Sequence, residues 1–250
     1  MKLSGKTDIG RYRSENQDCL LAQDTADGCC WGIVCDGMGG VQGGKLAAQI
    51  AVDTMNQYME KNYPLLKEGR SPQRVLTIGV EEANNAIFRR TYEDKQLTGM
   101  GTTMVCACVI GRMVHIVHAG DSRGYLFRDG KLIQLTHDHS MVQELVDSGQ
   151  LKQEQAANHP QKNLITKALG VDIHLQPDYT RSELLDGDIL LLCTDGLCNM
   201  VKDEEMADVL IQEHFFDAAD SLICHALNNG GQDNITVLLM GAEPTEEIYG

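Results

Sequence analysis

Three short apolar segments of this chain are bordered by an aspartate. Asp36 follows the run 31–35, Asp195 follows the run 188–194, and Asp233 precedes the run 234–240. Segments of that length and composition read as buried strands. If the third runs antiparallel to the other two, all three carboxylates arrive at one edge of the sheet. Unpaired carboxylates cannot share such a place without a cation, because their repulsion raises their pKa values or drives the strands apart. Oxygen ligands without accompanying histidines favour Mg²⁺ or Mn²⁺ over zinc. Glycine follows two of the three, in Asp36-Gly37 and Asp195-Gly196, and permits a sharp turn and close backbone approach. A single Asp-Gly is an ordinary turn. Two of them after apolar strands, with Gly230-Gly231-Gln232-Asp233-Asn234 before a third, exceed what turn chemistry explains.

Around these strands the pattern predicts more strands at 19–23, 30–35, 104–110, 113–118, 124–127 and 131–135, the last two joined by the hairpin pair Asp129-Gly130. Helical spacing predicts helices over 45–63 (Ala47, Ala51, Met55, Met59) and 72–92 (Leu76, Val80, Ala83, Ile87), with two more over 203–213 and 217–227. The stretch 137–170 is polar, carries short helix candidates at 140–148 and 153–158, and reads as an excursion packed on the surface. Strands and helices fall into separate runs, so the expected class is α+β with antiparallel sheet. With 250 residues, no repeat and no linker, one domain over 1–250 is expected.

The net charge of −15 removes the electrostatic footprint of a nucleic-acid binder and counts against a metal-dependent nuclease. Nine cysteines, an odd number placed mostly inside apolar runs and without a C-x-x-C pair, read as reduced core thiols. With no signal-like or membrane-spanning stretch, a cytoplasmic protein with no membrane association is expected.

Ordered motifs then run nearly end to end: Arg13-x-x-Asn16-Gln17-Asp18, Asp36-Gly37-Met38-Gly39-Gly40, Gly101-Thr102-Thr103, Gly120-Asp121-Ser122-Arg123, Thr194-Asp195-Gly196-Leu197 and Gly231-Gln232-Asp233-Asn234-Ile235-Thr236. With them go Asp138-His139-Ser140 and the run from Gln161 to Gly170. Together they resemble the protein phosphatase type 2C (PPM) family, in particular its compact bacterial members. The resemblance implies a four-layer α-β-β-α sandwich of two antiparallel sheets flanked by helices, with the flap at about 138–170. It implies a protein serine/threonine phosphatase in which a water bridging two Mn²⁺ or Mg²⁺ ions attacks phosphoserine or phosphothreonine directly. Asp36 would bridge the ions, with Asp195 and Asp233 completing the first. The Gly37 carbonyl would serve the second, and Asp18 would act through a water. Asp121, with Asp195, would hold a third ion, and Arg13 would grip the substrate phosphate. Phosphorylated proteins, with a cognate serine/threonine kinase and its substrates, are the implied partners of a monomer.

Two positions depart from some relatives. Gln17 stands where some members carry glutamate, and its amide is expected to orient a metal-bound water. Met38 stands where eukaryotic members carry a histidine proposed to protonate the leaving group, which methionine cannot do. Two other readings compete. Cys106 to Arg112 fits C-x₅-R, the signature of cysteine-dependent phosphatases, but the intervening residues spell a buried strand. A non-catalytic phosphoprotein-binding relative would be marked by loss of a metal aspartate, and none is lost. The histidines at 115, 118, 137, 139 and 159 show no ligand spacing and read as core or surface residues.

Overall fold

In a strand, successive side chains face opposite ways, and β3 (Cys29–Met38) uses both faces. Cys29, Trp31, Ile33 and Cys35 pack with the apolar stripe of α1 (Gly40–Lys67) and α2 (Pro72–Glu93). Cys30 and Val34 face the other way, into a layer shared with a second sheet. The computed structural model describes residues 1–26, 28–156 and 159–243, and only the backbone of Val41 and Gln42.

The sheet containing β3 has the order β2 (Asp18–Asp24), β3, β5 (Met104–Ile110), β6 (Met113–Ala119), β9 (Asp178–Glu183), with β4 (Gly101–Thr102) paired on the far end of β3. The second has the order β1 (Lys2–Asp8), β11 (Ile235–Gly241), β10 (Ile189–Cys193), β7 (Arg123–Arg128), β8 (Lys131–Gln134). All pairings are antiparallel. Helices α5 (Asp195–Cys198), α6 (Asp203–Gln212) and α7 (Phe215–Asn228) form an apolar cluster with Leu191, Cys193, Val237 and Leu239 of that sheet. Val34, Val105, Ile116, Leu190, Leu192, Leu238 and Met240 fill the space between the sheets. The seam is tight at Gly32, where a Cβ would lie 2.7 Å from Leu238 Cδ2. This is the α-β-β-α sandwich that the resemblance implied.

Local chemistry explains the helix boundaries. Ser71 accepts from Arg74 N at 3.4 Å and Pro72 opens α2, a pairing of cap and first residue that suits a helix start. α1 begins at Gly40, ahead of the expected 45, because Gly39 at φ 113° lets the chain turn directly into the first helical turn. It also continues past the expected end, through Pro64 to Lys67.

The stretch 138–170 carries α3 (Met141–Asp147) and α4 (Gln153–Ala156). The last two residues of the expected helix 153–158 lie outside the described residues. The stretch is anchored at both ends, by the bridge Ser140↔Ile165 and by Thr102↔Leu169. Among the described residues no helix is long and apolar enough to cross a membrane.

Candidate active site

At one end of the sandwich the inner faces change from apolar to acidic. β2 and β3 pair in a register that sets Asp18 opposite Asp36. Both continue the inward-facing alternation of their strands, Leu20 and Ala22 in one, Cys30 and Val34 in the other. On the facing sheet Thr194 and Thr236 continue the alternation of Leu190–Leu192 and Leu238–Met240 in the same way. Their hydroxyls donate to Asp18 Oδ2 at 2.9 and 2.7 Å, so Asp18 ties one sheet to the other.

This geometry corrects one expectation. The carboxylates do not line one edge of one sheet. Asp36 belongs to one sheet, while Asp195 and Asp233 flank β10 and β11 of the other. Nor does Asp36 follow its strand: β3 continues to Met38 because Gly37 and Met38 pair with Thr102 and Gly101.

Asp36, Asp121, Asp195 and Asp233 open together onto a cleft of about 480 Å³, which Arg13, Met38, Asn163 and Ile165 also line. Asp18 lies buried beside it. Burial first, then Asp18, Asp195, Asp121 and Asp233, pushes the Asp36 carboxyl well above the ordinary carboxylate range. Burial, opposed by the two threonine hydroxyls and reinforced by Asp195 and Asp233, raises Asp18 to about 7. Asp121 is raised to about 8 by burial, Asp195 and Asp138. Asp195 is raised by burial and by Asp233.

The remaining contacts fix the site's edges. Arg13 Nη2 donates to Asp233 Oδ2 at 2.7 Å, so the expected phosphate-gripping guanidinium rests on a carboxylate of the cleft. Gly37 N donates to Gln17 O at 3.2 Å, and a Cβ on Gly37 would lie 2.1 Å from Gly44 O. Gln17 Nε2 donates to Gly40 O at 2.9 Å, so in this structure the amide holds the start of α1. Asn234 accepts from Gln17 N at 2.8 Å and donates to Ile9 O and Glu15 O at 2.9 and 3.0 Å, clasping the loop that carries Arg13. Thr103 Oγ1 accepts from Asp36 N at 2.9 Å and lies 2.6 Å from Ser122 Oγ, joining β3 to the loop of Asp121.

Asn234, Thr194, Thr236, Thr103 and Ser122 were not assigned roles from sequence. The available signal was parity: Thr194 and Thr236 sit an even number of residues from inward-facing leucines.

Does this donor set suit a hard divalent cation? Asp18 Oδ1 and Asp195 Oδ1 are buried with no hydrogen-bond partner among the described residues, a costly state that a cation relieves. Among the described residues no three carboxylates, thiols or imidazoles are drawn together tightly enough to chelate as they stand. The chemistry of the donors fits.

A profile of the protein phosphatase 2C family matches residues 10–235. The chain belongs to that family. It is a metal-dependent protein serine/threonine phosphatase acting on phosphoproteins, and the phosphatase is 39% identical to the serine/threonine phosphatase stp of Listeria welshimeri, over 94% of its own chain and 93% of the relative's. The structure of the Mycobacterium tuberculosis phosphatase PstP/Ppp superposes with a TM-score of 0.89 at 35% identity, covering 97% of this chain and 99% of that one. A structure of the PstP catalytic domain in complex with two manganese ions gives a TM-score of 0.81 at 34% identity, covering 95% and 96%.

The cysteine alternative is not favoured. Cys106 is buried in β5, and burial raises its thiol to about 12, where no thiolate forms near neutral pH. The non-catalytic alternative is not favoured either, since every expected acidic residue is present at the cleft or beside it.

Proposed function

We propose that this phosphatase is one catalytic domain over residues 1–250, with 138–170 as a flap beside the cleft, and that it works with two or three Mn²⁺ or Mg²⁺ ions. Asp36 would stand between two ions, Asp195 and Asp233 would complete one, the Gly37 carbonyl would serve the other, and Asp18 would act from behind. Asp121 with Asp195 would hold a third. Bound there, the ions would supply an acidified water and neutralise charge on the phosphoryl oxygens.

The observation that carries this reading is the meeting of Asp18, Asp36, Asp121, Asp195 and Asp233 at one end of both sheets, with buried oxygens of Asp18 and Asp195 that have no partner among the described residues. The chain's own residues do the remaining work. Arg13, once released from Asp233, presents a planar fork to two phosphate oxygens. Asn234 fixes the loop that carries it. Ile165 and Met38 give the cleft apolar walls beside the carboxylates, and Met38 offers no proton to the leaving group.

Phosphoserine and phosphothreonine proteins, among them a cognate kinase and its substrates, are the proposed partners of a monomeric enzyme. Cysteines placed mostly inside apolar runs suit the reducing cytoplasm. Purified protein stripped with EDTA should be inactive on phosphothreonine peptides and p-nitrophenyl phosphate, and Mn²⁺ should restore both activities. Full turnover after exhaustive chelation would overturn the reading.

A further inference from the structure

His139 is a buried imidazole that the proposed chemistry leaves without a task. It lies at the base of the flap, in double contact with the glycine that precedes Asp121. Gly120 N donates to His139 Nδ1 at 3.1 Å, and His139 N donates back to Gly120 O at 3.0 Å. The His139 carbonyl accepts from Thr166 N at 2.8 Å, on the flap's returning limb.

Gly120 itself tolerates no side chain. It sits at φ 112°, and a Cβ there would lie 2.5 Å from Thr103 Cγ2. The loop of Asp121 is held on one side by Thr103, through Ser122, and on the other by His139.

The imidazole must be in one tautomer to do this. A backbone N–H can only donate, so Nδ1 accepts and the proton sits on Nε2. That nitrogen lies 3.2 Å from Asp178 Oδ1, short of the alignment of a full hydrogen bond, and Asp178 also receives Lys167 Nζ at 2.7 Å. The ring stacks on His118, centroids 4.7 Å apart at 8°, and His118 Nε2 donates to His137 O at 2.7 Å. Burial lowers His139 to about 4 and lowers His118 as well, which keeps both rings neutral.

We propose that His139 is a positioning residue: through Nδ1 it holds the Gly120 amide, and thereby Asp121 and the flap's base, in register with the cleft. The consequence for catalysis rests on the proposed role of Asp121.

Two near-isosteric substitutions separate the halves of the ring. An asparagine places its amide oxygen near the position of Nδ1, whereas a glutamine reaches the position of Nε2. H139N should keep wild-type hydrogen-exchange protection at the Gly120 amide in the metal-free protein, and most of the wild-type kcat. H139Q should lose that protection and lose about 10- to 100-fold in kcat, the usual cost of freeing a ligand's support, with KM nearly unchanged. Thermal melts show whether each variant is folded, and His139→Ala should follow H139Q. Equal effects of H139N and H139Q on Gly120 exchange would overturn the proposal, as would wild-type kcat in a folded H139Q. Calorimetric titration of Asp121→Ala with Mn²⁺ tests the ligand role separately, so failure of that reading is told apart from failure of the clasp.

Discussion

Asp36 faces Asp18 across the strand pair, with Asp195, Asp121 and Asp233 beyond it, and burial together with these carboxylates raises its carboxyl. Asp36→Asn removes a charge that the metal-free fold tolerates poorly. The variant should therefore melt at a higher temperature than wild type in EDTA at pH 8, while losing at least about 100-fold in kcat with Mn²⁺ present. A variant that melts lower in EDTA, or turns over near the wild-type rate, would remove Asp36 from the proposed role. Arg13 has the opposite character, an exposed guanidinium parked on Asp233. If its task is to grip phosphate in the ground state, Arg13→Ala should raise KM about 10-fold and lower kcat less. An unchanged KM for a monophosphate would show that it does not reach the phosphate. Arg13, in a polar loop, was placed only by the resemblance to the family, whereas Asp36 was legible because a charged side chain at the end of an apolar run violates the pattern around it. Asn234 was not, since an asparagine beside Asp233 looks like turn chemistry until its three backbone partners are seen.

At the scale of elements, the close approach of β3 to the start of α1 depends on glycine. Gly37→Ala would drive a methyl to 2.1 Å from Gly44 O and 2.7 Å from Gln17 O, both backbone atoms that cannot swing away. A loss of roughly 3 kcal/mol in urea unfolding should follow, the upper range for forced overpacking. Stability within the error of wild type would mean that the two segments separate easily. Elements with continuous apolar runs were read correctly from sequence, β3, β5, β6, β10 and β11 among them. β1 and β9 were not, because they are edge strands of mostly polar residues, Lys2–Asp8 and Asp178–Glu183, whose pairing needs a partner strand far along the chain. β4 has two residues, too few for any periodicity.

For the molecule as a whole, the raised carboxyls set a pH dependence with a definite sign. Asp18 at about 7 and Asp121 at about 8 bind protons in the folded state that they release near the usual value of 3.8 when unfolded. Stability from this source is complete below about pH 4 and is lost as pH rises through 7 to 8. In EDTA the melting temperature should fall from pH 5 to pH 8, and saturating Mn²⁺ should shrink that fall. A chelated protein that grows more stable over this range would contradict the assignment.

The seam between the sheets has two unlike halves. Along most of its length Leu190, Leu192, Leu238 and Met240 pack with Val34, Val105 and Ile116. At the acidic end the ties are polar: Asp18 is held by two hydroxyls from across the gap, and Asn234 clasps Gln17 and Glu15 beside it. Cation withdrawal should therefore register at the acidic end more than at the apolar one. Exchange protection at the amides of Thr194 and Thr236 should drop on chelation, while that of Leu191 and Leu239, deeper along the same strands, holds. Uniform loss along both strands would mean that the two sheets part as one body. The gradient would make the ions a mechanical latch as well as reagents.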